Sequence, residues 1–410
     1  MNHRYTPRDY LHYARLFARN RRRQKIWGER FEAAVRDQSY RLPHATVVQL
    51  IPTEACNLRC PMCNQWGEKG YFFEGIRPVQ HMDEQGLTTL MRGLSPKDSL
   101  ISVHGGEPFA YKHLDTLLDL LAEKPFDVMF TTNGTLLKRS LERLAKIKNL
   151  GFLLSIDGDE ETHDKIRGEG CFKRIKEGLA ALFDERRRQG LPLPFVVMSS
   201  VVCEWNSEVL DTAYDVARDL GVMAINFNMR WFLNEDIGQA YEKHLKDHFG
   251  LTSTGAWRGW ISNQADHDYT TAAQTLQRLV HKKRMRPPFV VTTPSHLRGD
   301  DYKTYFADYL DVFGNESCFM PFYWARIHAT GELIYCPGHP DIVVGNVFED
   351  GFLEAFNSEK SIQFRKHILG HRFPICNRCC GLYMTNPARP HEQKARKRLG
   401  LGKEVAVHWP

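Results

Sequence analysis

The stretch Cys56-Asn57-Leu58-Arg59-Cys60-Pro61-Met62-Cys63 puts three thiols within eight residues. Three thiolates can hold three irons of a cubane cluster, one short of the four that usually close it. The fourth iron is then open to an outside ligand, which can receive an electron from the cluster. A zinc loop, completed by a fourth ligand from elsewhere, is the competing use of the same residues. A second group lies far along the chain: Cys318, then Cys336, then Cys376, Cys379 and Cys380. Glycine-rich and acidic motifs fall between the two groups, at His104-Gly105-Gly106-Glu107-Pro108, Thr131-Thr132-Asn133-Gly134 and Ser155-Ile156-Asp157-Gly158.

The spacing of Cys56, Cys60 and Cys63 resembles the C-x3-C-x-φ-C signature of the radical S-adenosylmethionine (SAM) superfamily. The resemblance implies a [4Fe-4S] cluster whose unique iron is chelated by the amino and carboxylate groups of SAM. Reductive cleavage then gives a 5′-deoxyadenosyl radical that abstracts a substrate hydrogen. The position before the third cysteine is usually aromatic in that superfamily and is Met62 here, which predicts altered packing near the adenine. Gly105-Gly106-Glu107 resembles the superfamily's GGE motif, in which glycines permit close backbone approach and Glu107 would accept from the cofactor ammonium. Ser155, Asp157 and Arg167 fit its fourth-strand segment. There the Ser and Arg positions contact the cofactor carboxylate and the Asp lies near the ribose. Asn133 points to the same face, although Asn-Gly is equally a turn signal, just as Asp157-Gly158 alone could be a turn and Arg167 a surface ion pair.

Cys318, Gly331, Cys336 and the Cys376/Cys379 pair are similar to the shortened auxiliary-cluster domain called Twitch, a relative of SPASM. The resemblance implies that Cys318, Cys336, Cys376 and Cys379 ligate a second [4Fe-4S] cluster, closed on every iron and suited to electron transfer. Cys380 could replace Cys379. No cysteine follows Cys380, so one auxiliary cluster is expected, with a zinc knuckle as the alternative. Cys171 and Cys203 are left over. A lone cysteine is usually a small buried hydrophobe, but a thiol near the site could return a hydrogen atom to substrate. Cys203, at a strand end, is the candidate for that catalytic role.

The elements that would position these residues read as repeated βα units. Short β-rich runs at 46–52, 100–104, 127–131, 152–156, 195–202 and 223–228 alternate with amphipathic stretches at 83–93, 111–122, 137–147, 172–189 and 207–219. Parallel strands joined by helices open their following loops onto one face, and four of the motifs stand at four strand ends. The expected fold is α/β: a partial (β/α)6 TIM-type barrel with a small C-terminal α+β auxiliary-cluster domain. The boundaries predicted are a basic helical extension over 1–45, the barrel core over 46–230, an insert or bridging region without βα rhythm over 231–317, the auxiliary-cluster domain over 318–385 and a basic tail over 386–410. A hairpin is expected around Gly331, with short helices near 351–356 and 358–369.

The chain's 410 residues exceed one ordinary core. Its hydrophobic fraction of 42% and charged fraction of 25% are those of a packed globular protein. No apolar run approaches the ~20 residues of a membrane helix, and the N-terminus carries Arg and Tyr where a secretory signal would be apolar. A cytoplasmic protein is expected, so the ten cysteines should ligate metal and not form disulfides. The net charge of +6 says little, but nine Lys/Arg fall within residues 1–30. Tyr10, Tyr13, Leu16 and Phe17 at helical spacing among them could touch a membrane surface or cap the barrel. Nothing points to nucleic acid.

The auxiliary domain suggests a net oxidation, with a reductase, flavodoxin or ferredoxin as electron donor. Only about 45 residues precede the first strand, too few for a leader-peptide domain, which favours a small molecule such as a sugar or aminocyclitol. Peptide or protein maturation, epimerisation and lipid modification are the alternatives within the superfamily. A zinc or iron-sulfur relay protein is the alternative outside catalysis.

Overall fold

The computed structural model describes residues 5–37, 39–281, 287–315, 317–336 and 340–384. The basic tail expected over 386–410 lies outside the described residues.

Six parallel strands form the centre: β1 (Val47–Leu50), β2 (Leu100–Val103), β3 (Asp127–Thr132), β4 (Asn149–Ser155), β5 (Phe195–Val202) and β6 (Ala224–Met229). Each pairs in parallel with the next. In β5, buried and half-buried residues alternate throughout, so one side chain in two faces the covering helices and the other faces the sheet's concave side. The convex face is covered by amphipathic helices. Among them are α2 (Glu84–Gly93), α3 (Leu114–Glu123), α4 (Leu141–Lys146), α5 (Glu160–Arg167), α6 (Cys171–Arg188) and α7 (Leu210–Asp219). Leu114, Leu117, Leu118 and Leu121 of α3 are all buried, as their helical spacing predicts.

The sheet is wider than the six expected strands. The aromatic segment after residue 230 supplies β7 (Phe289–Thr293), parallel to β6. β8 (Trp324–Ile327) pairs in parallel with β1, and β9 (Glu332–Ile334) and β10 (Gly345–Asn346) extend that edge antiparallel. The order is therefore β10-β9-β8-β1 through β7 in one ten-stranded sheet. The hairpin between β8 and β9 turns at Gly331, whose φ of +83° favours glycine, and a Cβ there would meet Phe348 and Asn346. The cysteine-bearing C-terminal segment is thus joined to the barrel sheet through β8 and places its thiols beside the mouth of β1.

The long helix α1 (Pro7–Arg36) starts at a Thr6/Asp9 capping box with Pro7 in the first turn. It lies across the amino ends of the strands. Tyr13 donates to the Leu193 carbonyl at 2.6 Å, Arg23 pairs with Asp127 at 2.6 Å, and Trp27 and Phe31 are buried. Tyr10 and Phe17 remain exposed. Of the predicted stripe, Tyr13 is buried against the barrel's base and Leu16 is half-buried, on the side away from the chemical motifs. No helix among the described residues is long and apolar enough to cross a membrane.

Candidate active site

The cysteine loop leaves the carboxyl end of β1 and is gripped by the loops after β2 and β3. Gly106 comes so close that a Cβ would stand 2.3 Å from the Ala55 carbonyl oxygen and 2.4 Å from that of Glu54. A Cβ on Gly105, at φ +150°, would stand 2.3 Å from the Thr53 carbonyl oxygen. The GGE glycines therefore serve the approach of the two loops to each other. Asn133 donates from Nδ2 to Asn57 Oδ1 at 3.0 Å, and Asn57 donates in turn to Thr135 Oγ1 at 2.9 Å. Asn133 Oδ1 accepts from Thr135 at its backbone nitrogen and hydroxyl, so its side chain is committed to the loop that follows Cys56.

Glu107 is fully buried. Its Oε1 accepts from Thr132 Oγ1 at 2.6 Å and from the Phe109 backbone at 3.1 Å, and Oε2 accepts from the Asn133 backbone at 2.8 Å. Burial nevertheless pushes its pKa up to about 7 against those three donors. A carboxylate so placed has lone pairs to which an ammonium can donate, and a burial penalty that the ammonium's positive charge would offset.

Asp157, also fully buried, accepts from Arg167 Nε at 2.5 Å and from the Val201 backbone at 2.9 Å. Its two oxygens each accept one protein hydrogen bond, and the one from Arg167 fixes the guanidinium's orientation. Arg167 in turn reaches Cys60, with Nη1 3.8 Å from Sγ. Burial works to lower the arginine's pKa, but Asp157 and Cys60 outweigh it and hold the guanidinium charged. Ser155 ends β4 half-buried, level with Ser199 of β5.

Burial pushes the Cys56 thiol up to about 12 and Cys60 up to about 11, the latter despite Arg167. These thiols ionise in place only when further positive charge arrives, which is what iron provides. In the second group, Cys318, Cys336, Cys376 and Cys379 line one apolar cavity together with Trp231 and Met320. Burial raises Cys318 to about 12 and Cys376 to about 11. Among the described residues no three His, Cys, Asp or Glu side chains converge closely enough for a single ion. Four thiolates are the set that closes every iron of a [4Fe-4S] cluster, and equally the set of a structural zinc site.

A second cavity, of about 220 Å³, separates the two cysteine groups. Met62, Cys63 and Asn64 line it from the first group, and Cys380, Arg378 and Tyr383 from the second. Trp231, just past β6, lines both cavities and stacks on Trp260 with ring centroids 4.3 Å apart. Cys203 is enclosed behind the first loop, packed with Leu58, Cys60 and Met62, and its backbone nitrogen donates to Asn206 Oδ1 at 3.0 Å. Cys171 is buried in the same cluster. Neither is among the residues that line the intervening cavity.

Family models match the two regions that carry these groups, the radical SAM superfamily over residues 50–216 and an iron-sulfur cluster-binding SPASM domain over 318–380. The chain carries a radical SAM domain followed by a SPASM iron-sulfur domain. Its cofactors are accordingly a SAM-binding [4Fe-4S] cluster and auxiliary iron-sulfur ligation. It is 33% identical to the Fe-coproporphyrin III synthase of Methanosarcina barkeri over 34% of this chain and 34% of that protein. It is 26% identical to the antilisterial bacteriocin subtilosin biosynthesis protein AlbA of Bacillus subtilis, over 81% of this chain and 66% of that protein. With the first of these, the match spans about a third of the relative's length. The structure of Streptococcus suis SuiB bound to SAM shares the fold, with a TM-score of 0.56 at 17% identity over 80% of this chain and 68% of that one.

Sequence reasoning missed Asn64, Arg230, Trp231 and Arg378, which line the intervening cavity. Arg230 and Trp231 directly follow a predicted strand end, where site residues collect in such folds. That position was the one available signal.

Proposed function

We propose that this radical SAM enzyme oxidises a small polar molecule held in the 220 Å³ cavity between its two cysteine groups. The observation that carries the reading is the shared wall. Met62 and Cys63 bound the cavity on the side of the SAM-binding loop, while Trp231 separates it from the four-thiol cavity. When bound, the first cluster and SAM supply one-electron cleavage of the cofactor and hydrogen-atom abstraction, and one auxiliary cluster accepts the second electron.

The chain's own residues do the rest. Cys56, Cys60 and Cys63 hold the first cluster and leave one iron for the cofactor. Glu107 takes the cofactor ammonium, while Arg167, aimed by Asp157, offers positive charge beside Cys60, and Ser155 faces the same site. Cys318, Cys336, Cys376 and Cys379 hold the second cluster. Tyr305, Tyr383 and the stacked Trp231/Trp260 pair keep water from the cavity between them. The first electron comes from an external donor of the flavodoxin or ferredoxin class.

The test is formation of 5′-deoxyadenosine by the anaerobically reconstituted, reduced protein. Wild type should form it and Cys60→Ala should not; equal formation by both would remove the assignment. A second reading, modification of a peptide side chain, draws support from the similarity to AlbA across most of the chain. Deuterium transfer into 5′-deoxyadenosine from labelled small molecules or peptides separates the two.

A further inference from the structure

The intervening cavity carries information about what it binds, given the reading above that substrate sits there. Asn64 Nδ2, Arg230 Nε and Trp231 Nε1 are buried without a hydrogen-bond partner, and all three residues line this cavity. They are only 6%, 8% and 8% exposed. Native proteins leave few buried polar atoms unmet, and three round one cavity are a set awaiting a partner. All three atoms are donors, and neither a guanidinium nor an indole nitrogen can accept.

The donors are also held in place. Arg230 Nη1 is clamped by both oxygens of Glu204, at 2.5 and 2.6 Å, and its guanidinium lies 5.0 Å from the Trp205 ring centroid. That leaves the Nε edge, the side of a guanidinium that meets a planar pair of oxygens. Trp231 is fixed by its stack on Trp260. Arg378, on the same wall, is 1% exposed and donates to the backbone carbonyls of Tyr305, Asp308, Asp311 and Asn377. The wall thus has two guanidiniums and, in Glu204, one carboxylate beside them.

We propose that the substrate carries a carboxylate, received by Arg230 Nε and Trp231 Nε1 just past β6 and by Asn64 Nδ2 on the cysteine loop. SAM has a carboxylate of its own, and the experiment must separate the two sources.

The probe is succinate against succinamide, its neutral counterpart, measured by anaerobic equilibrium dialysis on the reconstituted protein saturated with SAM. Succinate is expected to bind at least tenfold more tightly. Arg230→Gln, which removes the guanidinium, and Trp231→Phe, which removes the indole N–H but keeps a ring against Trp260, should each erase most of that preference. No preference in wild type would overturn the proposal, as would a preference that survives in both variants. Competition between succinate and SAM would also overturn it, by assigning these donors to the cofactor carboxylate. Failure of the broader reading shows separately, as absence of 5′-deoxyadenosine formation by wild type.

Discussion

Cys379 and Cys380 are consecutive, yet they line different cavities, Cys379 the four-thiol cavity and Cys380 the one shared with Cys63. The cause is local. Cys379 is extended at the end of the 3-10 turn Pro374–Arg378, and Cys380 begins the helix Cys380–Met384. Successive side chains on an extended backbone point to opposite sides, so the pair straddles the wall between auxiliary ligation and the candidate substrate space.

Replacing these two cysteines should therefore give opposite phenotypes. Cys379→Ala should lower iron content to about that of one cluster while 5′-deoxyadenosine formation persists. Cys380→Ala should retain the iron of both. Iron and sulfide analysis beside the visible spectrum checks this, and equal iron loss in both variants would assign Cys380 to the cluster.

Arg167 depends on Asp157. The pair is short and nearly enclosed, with side-chain exposures of 10% and 0%. Removing one partner of such a pair leaves a buried charge and costs on the order of 3–5 kcal/mol. Asp157→Asn should lower unfolding free energy by about that amount in denaturant titration. It should also weaken SAM binding, whereas a substitution at the exposed Arg218/Asp215 pair should change neither.

Much of this architecture could be read from residue order, and the limits are physical. The six central strands fell where predicted because their alternation is imposed by one covered face. The strand after residue 230 was hidden because Phe289–Thr293 is a short edge strand, with Phe289 and Val291 exposed. β8 was expected as half of a hairpin around Gly331, and nothing local encodes its pairing with β1, 277 residues away in sequence. The cysteine ligands were legible because metal chelation fixes spacing. Arg230, Trp231 and Asn64 were not, because a cavity donor set is assembled from separate elements and leaves no periodic trace. Nor did residue order reveal that Asn133 donates to Asn57 and that Asp157 accepts from Arg167.

Gly106 gives a steric prediction. An alanine Cβ would fall 2.3 Å from a backbone oxygen of Ala55, the residue before Cys56, and backbone cannot yield as a flexible side chain can. Gly106→Ala should displace the cysteine loop and cost the first cluster while sparing the second. Gly93→Ala, where nothing lies within 4 Å, is the matched control. The measurement is iron per chain together with 5′-deoxyadenosine formation.

Glu107 makes cofactor affinity depend on pH. Its pKa of about 7 in the SAM-free protein lies above its ordinary value because the carboxyl is buried. Between its unfolded pKa near ~4.3 and about 7 the folded protein holds a proton that the unfolded chain has lost, so this group makes stability fall as pH rises through that window. Binding an ammonium beside it favours the ionised form, so SAM binding should release a proton below pH 7. Affinity should rise toward neutrality and then level off. The displacement amounts to roughly 4 kcal/mol at 1.36 kcal/mol per pKa unit, enough for a slope approaching tenfold per pH unit. Calorimetric titrations in buffers of different ionisation enthalpy would count the proton directly. Glu107→Gln should abolish the release and flatten the profile, whereas an unchanged profile in that variant would place the titrating group elsewhere.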